Sequence, residues 1–437
     1  MNRISGGGRA VALFALVAAL LIATGLVQSW NSALLILCMG LVSAVMAMGV
    51  NLQWGLAGLF NVGTVGFVAL GGLAAVLVSM PASPGAFAAG GTRLLLALAV
   101  GAAVVVAAAL VRRRLSRGAT RLLATLAILA VGLVVFRTLF DPAVDAIESV
   151  NPASTGYLGG LGLPVLLSWP VGGVLAAGAA WLIGKAALGL RSDYLAIATL
   201  GISEIVIAML KNEDWLARGV KNVVGLPRPV PYEVDLQRDT AFVERAAGLG
   251  LDPVTASTLF VKLCYAGLFA VVVLALLFLA QRALHSPWGR MMRAIRDDEV
   301  AAGAMGKDVT ARHLQVFVIG SAVCGIAGAM LVTLDGQLTP GAYQPLRFTF
   351  LIWVMVIVGG SGSNLGAILG GMLVWFLWVQ VEPIGRWAVE LATSGLADGN
   401  AVKAHLMGAA AHTRLMTMGV ILLLVMRFAP RGLLPGR

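Results

Sequence analysis

Twelve runs of apolar residues follow one another along this chain, near 10–29, 32–50, 56–79, 94–111, 122–140, 165–184, 192–210, 258–281, 313–334, 349–360, 365–381 and 414–428. A helix needs about 20 such residues to cross the hydrocarbon core of a bilayer. Inside that core every backbone amide and carbonyl must find a partner within the protein, so only helices and closed barrels persist. Runs this long and uniform exclude the alternating, roughly ten-residue strands of a barrel. The pattern predicts an all-α, polytopic helical membrane protein with about 10–12 transmembrane helices. Charged residues make up 12% of the chain, and a soluble domain carries about twice that share.

The loops assign an orientation. Loop 112–121 holds Arg112, Arg113, Arg114, Arg117 and Arg121 and no acid, whereas loop 141–164 holds Asp141, Asp145 and Glu148 and no Lys or Arg. By the positive-inside rule the first is cytoplasmic and the second external. Lys185 and Arg191 mark an inside turn, and segment 211–257, with six basic and seven acidic residues, is then an external loop. The loop 285–308 falls inside, as do both termini, with Arg3 and Arg9 at one end and Arg427, Arg431 and Arg437 at the other. No small-residue cleavage site follows the first apolar run, so it is expected to stay as the first span. The net charge of +11 sits in these short loops. It reads as topology and excludes a nucleic-acid partner. Cys38, Cys264 and Cys324 lie far apart in apolar segments and predict neither a disulfide nor a metal framework.

Two apolar stretches are interrupted by Gly and amide residues. One is Asn51-Leu52-Gln53-Trp54-Gly55, running on to Asn61; the other is Gly359-Gly360-Ser361-Gly362-Ser363-Asn364. Non-helical backbone at membrane depth is tolerated where it is buried in protein or lines a polar cavity. Asn51, Gln53, Asn61, Gly360 and Ser361 are therefore candidates for a translocation path, against close packing by small residues. Glu204 is the one acid deep in a span, about 20 Å along its helix from Arg191. An intramembrane acid is a functional candidate, with helix assembly as its other reading.

Between the eighth and ninth runs lies the most highly charged segment. Pro287 suits a first helical position and Gly306 a helix stop, so one polar helix of about 18 residues is predicted over 287–305. Ser286 is expected to cap it, Thr310 to cap the next helix, and Arg293 to pair with Asp297 one turn on. Such a helix outside the bilayer suits a soluble partner, although a plain solvated helix has the same pattern. Catalytic constellations are missing. His285, His313, His405 and His412 have no metal-ligand spacing, and no HExxH or G-x-S-x-G occurs. Gly303-Ala304-Met305-Gly306-Lys307-Asp308 fails as a phosphate loop, because Ala301 stands at the first Gly and Asp308 at the Ser/Thr that would hold Mg²⁺. The chain reads as a non-enzyme that does not itself bind ATP.

Several stretches together resemble the branched-chain amino-acid ABC-transporter permeases of the LivH/LivM type, closer to the LivM half. Gly55-Leu56-Ala57-Gly58-Leu59-Phe60-Asn61-Val62-Gly63 resembles their G-L-x-G-L-x-N-x-G stretch. Residues 190–201, LRSDYLAIATLG, with Glu204-Ile205, resemble L-R-G-D-Y-L-A-I-x-T-L-G and its following E-I. Ser286-Pro287-Trp288-Gly289-Arg290, Arg296-Asp297-Asp298-Glu299 and Ala302 resemble the S-P-x-G-R…R-E-D-E…A loop. Val358-Gly359-Gly360-Ser361-Gly362-Ser363 and Pro430-Arg431-Gly432-Leu433-Leu434-Pro435 resemble the V-x-G-G-x-G-S turn and the C-terminal tail.

The resemblance implies a type II importer-like permease in a bacterial inner membrane, a single transmembrane domain over 1–437. Its implied partners are cytoplasmic ATPase subunits that bind ATP and Mg²⁺, a second permease of different sequence, and an external solute-binding protein. It also implies that Gly289, Arg290, Arg293, Arg296, Asp297, Glu299, Ala302 and Gly306 form the part that couples to an ATPase. The chain departs from the pattern over 80–185, which is longer than usual and suggests an extra helical pair near 94–111 and 122–140. Ser192 replaces a Gly, and 217–223 reads ARGVKNV where T-G-G-P-N-G-I is usual. The solute therefore stays open between branched-chain amino acids and another small polar solute such as urea or an amide. An ion-coupled transporter using Glu204 is the rival.

Overall fold

Each of the twelve apolar runs is helical over most of its length. A computed structural model of the chain describes residues 6–116, 118–151, 156–394 and 413–436, with Lys403, His405 and Gly408. Arg3, Arg117, His412 and Arg437 lie outside the described residues. The helices are α1 (Gly6–Val27), α2 (Trp30–Val50), α3 (Thr64–Ser79), α4 (Thr92–Arg114), α5 (Ala119–Ser149), α6 (Ser168–Ala187) and α7 (Ser192–Asn212). After an irregular stretch come α8 (Pro253–His285), α9 (Pro287–Asp297), α10 (Glu299–Ala304), α11 (Val309–Asp335), α12 (Pro345–Gly359), α13 (Asn364–Ala392) and α14 (Thr413–Phe428). Nine helices among the described residues are long and apolar enough to span a membrane, and shorter apolar helices cover 64–79, 348–359 and 416–428. Between α7 and α8 the chain forms three short helices, Asp214–Ala217, Glu233–Arg238 and Thr240–Gly248. There the strand β1 (Val223–Val224) pairs antiparallel with β2 (Gln337–Leu338), which follows α11.

The core is centred on α11, which packs against α6, α3 and α2, while α13 lies along α2 and α12. Lipid tails are as apolar as any side chain, so close packing rather than water exclusion holds membrane helices together. Small residues on α11 provide it. A Cβ at Gly71 would fall 1.8 Å from the Gly325 carbonyl oxygen, and one at Gly328 would fall 1.9 Å from that of Val68. No side chain fits there without separating α3 from α11. Gly71→Val is expected to cost well over the roughly 1–3 kcal/mol of ordinary overpacking. A fall in the thermal midpoint of the detergent-purified protein, or loss of folded protein from membranes, checks this.

α4 and α5 pack chiefly on each other. Their outer surfaces are exposed, including Leu95, Val105, Leu123 and Val134. They join the rest through a small apolar cluster around Ala86, Leu94, Ala143 and Ile147. The Glu148 carboxylate also accepts the Trp215 amide at 3.1 Å.

Candidate coupling and translocation site

The first interruption is a change of helix type. At Asn51 the α2 helix widens into a π-turn, Asn51–Leu56, a distortion that frequently marks functional positions. The chain then leaves the helix at Gly58, whose φ of +72° suits glycine, and runs irregularly to α3. The second interruption is a turn between α12 and α13, with Gly360 at φ +115° and Gly362 at +79°.

The amides of the first interruption are buried and bonded. Asn51 and Gln53 are 0% exposed and Asn61 is 1% exposed. Gln53 Nε2 donates to the Phe317 carbonyl and to Ser321 Oγ, each at 2.9 Å, and its Oε1 accepts from Asn61 Nδ2 at 2.8 Å. Asn61 Oδ1 takes the Gly63 amide at 2.9 Å. The indole Nε1 of Trp353 donates to the Asn61 carbonyl at 3.2 Å. That ring is clasped between Trp54 and Phe60, with centroids 4.8 and 4.7 Å away. Thr199 on α7 receives the Val62 amide at 3.2 Å. Asn51 crosses to the second turn: its Oδ1 accepts the Gly362 amide at 2.8 Å, and its Nδ2 donates to Asn364 Oδ1 at 3.1 Å. The two interruptions thus form one joint among α2, α7, α11, α12 and α13.

The charged segment departs from the single helix expected over 287–305. It is α9 and α10, broken at Asp298, whose backbone is extended (φ −153°, ψ 104°). The Asp298 side chain accepts the Ala301 amide at 2.9 Å and caps α10. Acidic residues at 297–299 disfavour the negative end of one helix and favour the positive start of the next, so the break falls there. Ser286 does not cap α9; its hydroxyl donates back to the Ala283 carbonyl at 2.6 Å. Thr310 is not the cap of α11 either. Asp308 takes the Ala311 amide at 2.9 Å. Arg293 does not pair with Asp297 but reaches the carbonyls of Gly289 and Leu284, at 3.4 and 3.3 Å.

α9 sets Met292 and Ile295 into the core, with Arg290, Arg293 and Asp297 exposed. Gly289 is buried against the end of α8, where a Cβ would meet the Leu284 carbonyl oxygen at 2.4 Å. Arg296 donates to the Gly55 carbonyl, inside the π-turn. A cavity of about 650 Å³ beside it is lined by Arg293, Arg296, Asp297, Ser361, Gly362 and Asn364. On α10, Ala302 is buried while Val300 and Met305, just past its end, are 83% and 80% exposed. Gly306, at φ +77°, ends the segment. Glu299 Oε1 lies 3.3 Å from Nδ1 of His313.

Of the candidate path residues, the structure joins Asn51, Gln53 and Asn61 with the Gly360–Ser361 turn. Glu204 is exposed on α7 and belongs to no part of this joint. Thr199, Ser321 and Trp353 were missed in the sequence, where each is an isolated polar or aromatic residue in an apolar run, and His313, named there for its want of metal-ligand spacing, lies beside Glu299. Only Thr199 carried a signal, lying inside the 190–201 stretch.

Residues 146–426 match the family model described as branched-chain amino acid transport system / permease component. The chain is similar to the high-affinity branched-chain amino acid transport system permease protein LivM of Salmonella typhimurium, 29% identical over 66% of this chain and 61% of that protein. It is similar to the probable branched-chain amino acid transport permease protein LivM of Methanocaldococcus jannaschii, 27% identical over 68% of this chain and 74% of that protein. The permease protein LivH of Salmonella typhimurium is 26% identical over 43% of this chain and 65% of that protein. The match thus spans about three fifths of the Salmonella LivM. No solved structure matches.

Proposed function

The chain belongs to the branched-chain amino acid transport system permease family, and from that premise we propose that it is the transmembrane permease subunit of an ATP-driven ABC importer in a bacterial inner membrane. Its solute is a branched-chain amino acid or a related small polar solute. Cytoplasmic ATPase subunits bind ATP and Mg²⁺, a second permease of different sequence completes the path, and an external binding protein delivers the solute. Both termini and the α9–α10 segment face the cytoplasm, and 211–257 faces outside.

The observation that carries this reading is the bond from Arg296 to the Gly55 carbonyl. It ties the charged segment to the joint on which both interruptions converge. In the proposal, the exposed Val300 and Met305 seat the ATPase with Gly289, Arg290, Arg293, Asp297, Glu299, Ala302 and Gly306 shaping the segment. Its movement pulls through Arg296 on the π-turn. Opening the joint turns Asn51, Gln53, Asn61, Gly360 and Ser361 toward water and solute. Glu204 faces the second permease, because an acid inside a span facing lipid is costly. An ion-coupled mechanism through Glu204 has no support, since that residue stands apart from the polar joint.

Affinity purification of the native complex tests the reading: ATPase and second-permease subunits are expected with the chain, and a chain recovered alone and active in uptake overturns it. Orientation has its own check. Cysteines at Val234 and Leu249, both exposed, are expected to react with an impermeant thiol reagent in intact spheroplasts. Labelling only after lysis would reverse the topology.

A further inference from the structure

The α4–α5 pair is held to the rest of the protein at one end and bare at the other. At the held end Leu94, Ala143 and Ile147 pack with Ala86, and Phe140 meets the Trp215 ring edge-on, with centroids 5.8 Å apart. Apart from each other, the two helices touch chiefly the flanking segment 84–91 and Asp214–Ala217, at that same end. An 18-residue apolar stretch of α5 is 11% buried, whereas that of α11 is 78% buried.

The bare end is a turn of arginines. Arg112, Arg113 and Arg114 close α4, and Arg121 lies in the first turn of α5. Residues 1–140 contain no Asp or Glu, and among the described residues no ion pair involves any of these four. Asp141 lies toward the held end of α5, about 30 Å from Arg121 along the helix, and pairs there with Arg137 at 3.0 Å. The helix dipole explains part of this placement, since cations are favoured at the carbonyl end of a helix, where Arg112, Arg113 and Arg114 stand. It does not explain Arg121, which stands at the amide end of α5, where a cation is disfavoured and no side chain caps the helix. The anion that balances this turn must come from outside the chain. Directly beside the turn, Leu110, Leu115, Leu122, Leu123 and Leu126 are exposed. Guanidinium forks that match phosphate oxygens in pairs thus stand on a surface suited to hydrocarbon.

We propose that the tip of the α4–α5 pair is a binding site for anionic phospholipids of the phosphatidylglycerol class. The phosphodiester sits among Arg112, Arg113, Arg114 and Arg121, and the acyl chains lie along the exposed leucines. Bound lipid holds the bare end of the pair in the headgroup layer, as protein contacts hold the other end. Each basic residue at an anionic membrane surface contributes roughly fivefold to partitioning. The site is distinct from the buried joint and does not depend on which solute the chain carries.

The complete chain, purified in detergent, is titrated with dioleoylphosphatidylglycerol or dioleoylphosphatidylcholine, and bound lipid is counted by native mass spectrometry. The anionic lipid is expected to bind about tenfold or more tightly than the zwitterionic one. Changing Arg112, Arg113, Arg114 and Arg121 together to Gln is expected to remove most of that preference. Arg121→Gln alone leaves the other arginines of the turn in place, and with them the orientation of the pair, and is expected to lower the preference roughly fivefold. Thiol labelling of a cysteine at Val234 in spheroplasts shows whether the fourfold variant inserts as the wild type does; where it does not, the single variant decides. Equal affinity for the two lipids in the wild-type protein overturns the site, as does a preference that the variants keep. Displacement of the lipid by glycerol 1-phosphate makes the turn a site for soluble phosphates and also overturns it. Loss of ATPase subunits from the fourfold variant, with its lipid preference intact, assigns the turn to a protein partner instead.

Discussion

Arg296→Ala is expected to abolish most solute uptake while the complex still assembles and still hydrolyses ATP. The guanidinium is the hydrogen bond observed between the charged segment and the π-turn. A charged hydrogen bond contributes about 1.5–3 kcal/mol, equivalent to roughly a ten- to hundredfold change in an equilibrium or rate. Gly55 is followed within the same turn by the start of the loop to Asn61, and Asn51, one helical turn before it, holds Gly362 and Asn364. Removing the guanidinium leaves the segment free to move without drawing the joint with it. The measurement is solute transported per ATP hydrolysed in proteoliposomes, which a merely structural loss does not change, because misfolded complexes lose both activities together. Val300→Asp gives the contrasting outcome. It places a charge on the exposed apolar face and is expected to remove the ATPase subunits from the purified complex. An unchanged transport-to-hydrolysis ratio in Arg296→Ala would end the transmission role.

Gln53→Leu is expected to have the second large effect, this time on stability. Gln53 makes three hydrogen bonds with no exposure to solvent. Leucine is close to it in size but makes none of them. It leaves Asn61 Nδ2 and the Ser321 hydroxyl to find other partners, at about 1–3 kcal/mol for each buried group left unpaired. Space is also tight, since a Cβ on Gly320 would meet Gln53 Cγ at 2.5 Å. The expected result is a lower thermal midpoint and less folded protein in membranes. Uptake per assembled complex then separates the two roles of the amide: a further fall in that ratio marks a path residue, and an unchanged ratio marks a joint that only holds helices together.

The helices were legible in the sequence because hydrocarbon leaves backbone groups no outside partner, so each long apolar run must satisfy its own hydrogen bonds as a helix. The two interruptions were legible for the same reason: Asn51, Gln53 and the Gly360–Ser363 run break an otherwise continuous apolar pattern. Fine structure in the charged segment was not. Ser286 and Asp298 are both acceptable helix caps, yet the Ser286 hydroxyl turns back to the Ala283 carbonyl while Asp298 caps a second helix that the sequence did not mark. Arg293 had a partner of the right spacing in Asp297, yet it turns to the Leu284 carbonyl at the end of α8, which the close contact at Gly289 brings within reach. Tertiary structure alone decided that Asn51 meets Asn364, 313 positions away, that Gln53 meets Ser321, and that Arg296 reaches Gly55. It also set Glu204 outside that joint. Hydrophobic periodicity states how deep a residue lies in a membrane but not which neighbour it faces. That is set by which glycines allow two helices to touch, and the contact between Gly71 and Gly325 exists only once α3 and α11 have packed.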